Sequence, residues 1–231
     1  MAKETIMIVE DEEDILELIK YNLEKEGYST IGLETGESCL EKVKQFHPDL
    51  ILLDLMLPGI DGLRVCRVLK NDPETAKIPV VMLTAKGEES DIVTGLEMGA
   101  DDYLTKPFSH KVLIARIRSV LRRLEESAAV EDTGTLKRGD ITINPGRREV
   151  LLKGVNTIFT YSEFEILHLL VKRPGWVYTR NQIVNQVKGD DYPVTERSID
   201  VQIVGLRKKM GVYGKNIETI RGVGYRYSDS E

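Results

Sequence analysis

Residues 50–62 read Leu50-Ile51-Leu52-Leu53-Asp54-Leu55-Met56-Leu57-Pro58-Gly59-Ile60-Asp61-Gly62. Four apolar residues end on a carboxylate, and a Pro-Gly turn then leads to a helical pattern over Leu63–Leu69. A strand that is apolar at every position is buried on both faces, which a parallel sheet covered by helices provides. The same alternation recurs on either side. Ile6–Val9 leads into Ile15, Leu18, Ile19 and Leu23 on one helical face; Val80–Leu83 leads into Ile92–Leu96, and a short strand at Tyr103–Thr105 into Val112–Leu121. Gly27-Tyr28 closes the first helix and introduces a weaker strand at residues 29–33. Five βα units predict an α/β domain: a flavodoxin-like doubly wound five-stranded parallel sheet with right-handed crossovers.

The pattern then changes. Leu124–Thr135 (LEESAAVEDTGT) is small and polar without periodicity and reads as a linker. Beyond it come strands at Asp140–Asn144 and Glu149–Leu152, and a Lys153-Gly154 turn into Thr157–Thr160. Ser162 with Glu165 three residues on reads as a capping box opening Glu163–Lys172. Thr179 caps Arg180–Val187, and Thr195 opens Glu196–Met210, which Gly211 ends. Asn216–Arg221, a Gly222-Val223-Gly224 turn and Tyr225–Tyr227 close the chain as a hairpin. Strands, three helices and a hairpin predict an α+β winged helix-turn-helix. The division is 1–124 for the first domain, 125–135 for the linker and 136–231 for the second.

Charge separates the halves. Residues 1–126 hold 16 basic and 25 acidic residues, a net of −9; residues 127–231 hold 16 and 13, a net of +3. Only the second half is suited to a polyanion, and by local clustering more than by its total. No apolar run approaches a membrane span, so no membrane partner is expected. Cys39 and Cys66 lack metal or redox spacing and read as small buried hydrophobes, in keeping with a reducing, cytoplasmic setting.

In an open α/β sheet the reactive crevice lies outside the carboxyl ends of the strands. The residues there are Glu10-Asp11, Asp54, Thr84-Ala85 and Lys106-Pro107. Clustered carboxylates repel unless a cation joins them, and hard oxygen ligands with open positions suit Mg2+. Such an ion also polarises a phosphoryl group presented to a carboxylate nucleophile. Lys106 can hold a phosphoryl oxygen as a point charge, and Thr84 can donate a hydrogen bond to another.

Those residues, with Asp54 in LLDLMLPGIDG, Thr84-Ala85 in MLTAK and Lys106-Pro107 in DYLTKPF, resemble the receiver domain of two-component response regulators over residues 4–124. The resemblance implies that Asp54 is the phosphoacceptor. It further implies that Glu10, Asp11, Asp54 and the main-chain carbonyl of Met56 hold Mg2+, that Thr84 and Lys106 contact the phosphoryl group, and that Tyr103 is an aromatic switch. The Lys106-Pro107 bond is cis in that family, as only an X-Pro bond readily is. The family's receivers pair through the fourth helix, fifth strand and fifth helix. This places Ile92, Asp101, Asp102, Val112, Arg116 and Arg118 on a homodimer face. Ile92 and Val112 stand where a Lys or Arg and a Glu are common, so that contact would be apolar and less sensitive to salt.

In the second half, ERSIDVQIVGLRKKM…IETIRGVGYRY, with FTYSEFEIL and the run Trp176–Arg180, resembles the C-terminal domain of OmpR/PhoB-type transcription factors over residues 136–228. The resemblance implies that the third helix enters the major groove, with Arg197, Ser198, Val201, Gln202, Val204, Arg207 and Lys208 on its DNA side and Arg221 in the wing. Val204-Gly205 departs from the family, where basic residues are frequent. Val204 suits a thymine methyl, and Gly205 permits close backbone approach. The implied partners are a sensor histidine kinase, double-stranded promoter DNA, a second copy on phosphorylation, and RNA polymerase as a candidate. The implied role is a phosphorylation-dependent transcriptional regulator that catalyses only its own phosphorylation and dephosphorylation. A haloacid-type phosphatase would need a second Asp two residues after the nucleophile, where Met56 stands. An architectural DNA binder with a vestigial first domain is disfavoured by the full set of strand-end residues.

Overall fold

The computed structural model describes residues 4–85, 99–129, 134–188 and 197–228. The chain divides into two compact units, Met1–Leu121 and Arg122–Glu231.

In the first unit, β1 (Thr5–Val9), β2 (Ser29–Leu33), β3 (Leu50–Asp54), β4 (Val80–Ala85) and β5 (Asp102–Lys106) form one parallel sheet ordered β2-β1-β3-β4-β5. Between and after them run α1 (Glu13–Lys25), α2 (Gly36–Phe46), α3 (Gly62–Asn71) and α4 (His110–Ala129). The strand order is the flavodoxin-like one, and its direction of winding reverses between β1 and β3. Both faces of the central strands are buried. Met7, Val9, Ile51, Leu53 and Met82 pack against Cys39 and Val43 of α2 and Val65, Cys66 and Leu69 of α3. The alternate residues Ile6, Ile8, Leu50 and Leu52 have no exposure either, and α1 packs on the β1–β2 side. Both cysteines lie inside, and burial pushes each thiol up to about 12. The helix expected at Ile92–Leu96 lies outside the described residues.

In the second unit, β6 (Leu136–Arg138), β7 (Ile141–Asn144), β8 (Glu149–Leu152) and β9 (Val155–Asn156) make an antiparallel sheet in chain order. Helices α5 (Tyr161–Lys172), α6 (Arg180–Lys188) and α7 (Arg197–Met210) follow, then a 3-10 turn at Gly211–Asn216. A second sheet, β10-β12-β11, joins β10 (Tyr178–Thr179) to the hairpin of β11 (Ile217–Ile220) and β12 (Gly224–Tyr227). One core serves all these elements, with Ile141 and Val150 from the first sheet, Ile166, Leu167 and Leu170 from α5, Ile183 from α6, Ile203 and Leu206 from α7, and Tyr225 from the hairpin.

Three local expectations are corrected. The capping box is Thr160 with Glu163, two residues before the expected Ser162 with Glu165. Thr160 accepts from the Glu163 N–H, and Glu163 accepts from the Thr160 N–H at 2.8 Å. Thr157–Thr160 is consequently not a strand: β9 stops at Asn156, and the chain leaves the sheet to cap α5. The helix that starts at His110 runs to Ala129, past the expected linker start, because Leu124-Glu125-Glu126 and Ala128-Ala129 favour helix without making an apolar stripe. Thr195 and Glu196, expected to open the recognition-type helix, lie outside the described residues.

Candidate functional site

The crevice at the reversal point is assembled by register. Val9 pairs with Leu53, so Glu10 stands level with Asp54; Asp54 pairs with Leu83, and Ala85 with Lys106. The carboxyl ends of β1, β3, β4 and β5 thus deliver the functional side chains to the same edge of the sheet. The loop after Asp54 is pinned from two sides. Gly62 lies so close to the Asp54 carbonyl that no Cβ fits, and Asp61 caps α3 by accepting from the Arg64 N–H at 2.7 Å. Glu37 of α2 accepts from the Ile60 N–H at 3.0 Å, a contact that sequence reasoning missed.

Within the crevice, oxygens of Glu10, Asp11 and Asp54 lie within 4.8 Å of one another. Glu10 and Asp54 are buried, while Asp11 is exposed and opens the cluster to solvent. Lys106 Nζ donates to Glu10 Oε1 at 2.8 Å and to Asp54 Oδ2 at 2.9 Å. Burial, and then the neighbouring Asp54, push the Glu10 carboxyl up to about 7 against the opposing pull of Lys106. Burial works against the Lys106 ammonium, but its bonds to Glu10 and Asp54 outweigh this and raise it. The Met56 N–H donates to Asp54 Oδ1 at 3.3 Å. Thr84 Oγ1 is buried and finds no hydrogen-bond partner among the described residues. A buried hydroxyl without a partner is a costly arrangement unless an incoming group completes it. Buried hard oxygens facing an exposed carboxylate suit a small divalent cation, so the donor set fits Mg2+.

In the second unit α7 has three kinds of face. Ile199, Ile203, Leu206 and Met210 are in the core. One flank is tied down by Asp200, whose Oδ1 accepts from Arg180 Nε at 2.7 Å and from the Tyr225 hydroxyl at 2.6 Å. On the same flank Arg207 donates to the Ile217 carbonyl at 2.7 Å and to Thr219 Oγ1 at 2.8 Å. The other flank meets α5, where Lys209 Nζ donates to Glu163 Oε2 at 2.6 Å. Gly205 lies there too, and a Cβ on it would come 3.1 Å from Glu163 Oε1. On the remaining face Val204 and Lys208 are exposed, Val204 at 65%, and Val201 one turn earlier is half-buried.

Comparison with known proteins agrees with both halves of this geometry. Residues 6–118 match the model of the response regulator receiver domain, and residues 154–227 that of the C-terminal domain of transcriptional regulatory proteins. The chain is 42% identical over 225 residues to the phosphate regulon transcriptional regulatory protein PhoB of Shigella flexneri, covering 96% of this chain and 97% of that one. It is 41% identical to the alkaline phosphatase synthesis transcriptional regulatory protein PhoP of Bacillus subtilis, covering 97% and 96%. The chain belongs to the OmpR/PhoB-type response regulators. The response regulator DrrB of Thermotoga maritima, an OmpR/PhoB homologue, aligns over 98% of this chain and 99% of its own with a TM-score of 0.50 and 32% identity. A mutant form of RitR shares the fold over 98% of this chain and all of its own, with a TM-score of 0.77 and 24% identity.

As a response regulator, the chain is a transcription regulator with a receiver and a DNA-binding domain, not a metabolic enzyme. The crevice brings together Glu10, Asp11, Asp54 and Lys106, with the Met56 N–H on Asp54 and Thr84 at the end of the neighbouring strand, and the Lys106-Pro107 peptide is cis. Tyr103 is half-buried on the face of Met82 and, by alternation, of Thr84. Burial raises its hydroxyl pKa.

The expected dimer face is only partly exposed. Val112 and Arg118 are at the surface, with Arg118 bonded to Glu26 of its own unit, whereas Ile92 lies outside the described residues. Asp101 is a correction. It is 2% exposed and held inside by Lys70 at 2.6 Å and the Val80 N–H at 2.9 Å. Lys70 is drawn in because the Ile78 carbonyl also accepts from it at 2.7 Å. Asp102 is likewise buried, 3.7 Å from Arg116.

On α7 the expectation also divides. Val204 and Lys208 are exposed, Val201 is half-buried, and Arg221 is exposed at the hairpin turn. Position 197 opens the helix, but the Arg197 side chain is outside the described residues. Ser198 and Gln202 are corrections: at 3% and 4% exposure they face the core, one position to the side of the outward row. Arg207 is occupied in holding the hairpin. Asp200 and Glu163 were missed. The only signal for Asp200 was its being the lone acid in RSIDVQIVGLRKKM, and for Glu163 its standing three residues after Thr160.

Proposed function

We propose that Asp54 takes a phosphoryl group from a phosphohistidine of a sensor kinase, and that this promotes homodimerisation and promoter binding. The observation that carries the reading is the Asp54 carboxylate bound by Lys106, in one crevice with Glu10 and Asp11 and beside the partnerless Thr84 hydroxyl. In the transfer, an Asp54 oxygen forms a bond to phosphorus as the P–N bond of the donor breaks. Lys106 and the Thr84 hydroxyl then serve the phosphoryl oxygens, so Lys106 exchanges one anionic partner for another without leaving the crevice. Glu10, Asp11, Asp54 and the Met56 carbonyl would hold Mg2+. When bound there, Mg2+ offsets the charge gathered on the carboxylates and the phosphoryl oxygens.

The arriving group adds about −1.5 to −2 charges, and Thr84 turning toward it frees space on the sheet face that Tyr103 shares. That coupled pair is the two-state element of the switch. Dimerisation would use the surface around Val112 and Arg116, and RNA polymerase is the partner through which bound promoter is read out. The site of action is the cytoplasm. Incubation with acetyl phosphate and Mg2+ should add one phosphoryl group per chain by intact mass, and Asp54→Ala should add none. Incorporation at the wild-type level in that variant would refute the assignment. Beryllofluoride with Mg2+ should convert monomer to dimer in the wild type alone, read as mass in solution.

A further inference from the structure

The outward row of α7 is apolar at its middle. Val201, Val204 and Lys208 recur at intervals of three and four residues, and by spacing position 197 falls in the same row. The neighbouring polar groups are not free to cover it. Asp200 and Arg207 are fastened to α6 and the hairpin on one flank, and Lys209 is fastened to Glu163 on the other. Gly205 adds no side chain, and Glu163 leaves little room for one. An exposed β-branched residue inside a helix also gains nothing locally, since valine is a poorer helix former than alanine. Lys208 at the end of the row and Arg221 at the hairpin turn are exposed cations, the residue type that meets phosphates, whereas Val204 has no group to offer one.

On a major-groove edge the hydrogen-bonding groups of all four base pairs offer valine nothing, and the one apolar group is the thymine C5-methyl. We propose that Val204, with Val201 beside it, is a specificity-determining residue that selects a thymine in the half-site through its methyl group. This rests on the reading of α7 as the major-groove helix and narrows what that helix recognises. A cation at position 204 would favour guanine, so the valine shifts the preferred sequence instead of merely weakening binding.

The test uses the full chain with Mg2+ and beryllofluoride. A bound sequence is selected from a random duplex library, and each thymine of its half-site is then replaced singly by deoxyuridine, which removes only the methyl. One or two positions should lose about fourfold in affinity, the effect of withdrawing one CH2-sized contact. Val204→Ala should bind the original site about fourfold more weakly and bind its thymine and deoxyuridine forms alike. A site with no deoxyuridine-sensitive position, or one equally sensitive in Val204→Ala, overturns the proposal while leaving DNA binding intact. Failure to enrich any sequence overturns the DNA-binding reading together with it.

Discussion

The crevice of the receiver and the outward face of α7 are both functional surfaces, yet they were built under different constraints. At the crevice, the parallel sheet leaves only the carboxyl ends of β1, β3, β4 and β5 in one place, and the register brings Glu10, Asp54, Thr84 and Lys106 there together. Whatever stands at those ends meets in the crevice. On α7 a residue's role depends on an angle of rotation, and one step along the helix turns it by about 100°. Ile203 is thereby buried while Val204 beside it is exposed. Topology fixes a site more firmly than amphipathic pattern does, because a helix face acquires its function from what packs against its flanks.

The largest effect that follows is at the crevice. Asp54→Ala should abolish phosphoryl incorporation, a fall of at least about 100-fold, since the nucleophile itself is removed. Its phosphorylation-independent DNA affinity should stay close to wild type. An equal loss of both would break the distinction drawn between the two surfaces.

Next in size is Lys70→Met. Removing the ammonium leaves Asp101 buried without its charge partner, and breaking such a pair costs about 3–5 kcal/mol. Urea unfolding of the receiver should show the loss. Asp101→Asn should cost less, because an amide can still accept from the Val80 N–H. A change under about 1 kcal/mol in Lys70→Met would mean that Asp101 does not depend on Lys70, and would return it to the dimer face.

How much of this could be read in advance follows the same division. Leu50–Asp54 is apolar throughout and ends on a carboxylate, so a parallel sheet and its reactive edge are already implied by composition along the strand. Asp101 was misplaced because the reach of Lys70, thirty-one residues earlier, is a tertiary fact with no local trace. Ser162 was taken for the cap of α5 because Ser-x-x-Glu and Thr-x-x-Glu stand two residues apart and satisfy the same rule; only the path of the chain leaving β9 decides between them. Arg207 looked like its neighbours Lys208 and Lys209, although each of the three has a different destination.

That run of three cations gives the smallest and sharpest comparison. Arg207 makes charged hydrogen bonds to the Ile217 carbonyl and Thr219, so Arg207→Ala should destabilise the C-terminal domain by about 1–3 kcal/mol, read as a lower unfolding midpoint. Lys208 is exposed and has no ion pair among the described residues. Lys208→Ala should therefore leave the unfolding midpoint unchanged and act on DNA alone. The expected change is a few-fold loss of affinity, similar for specific and random duplexes, with the slope of log K against log salt shallower by about 1. The two substitutions differ by one position and both remove a cation, so net charge cannot explain a different outcome. If Lys208→Ala lowered stability and Arg207→Ala did not, the assignment of the outward row would be turned by one residue, and Val204 would leave it as well.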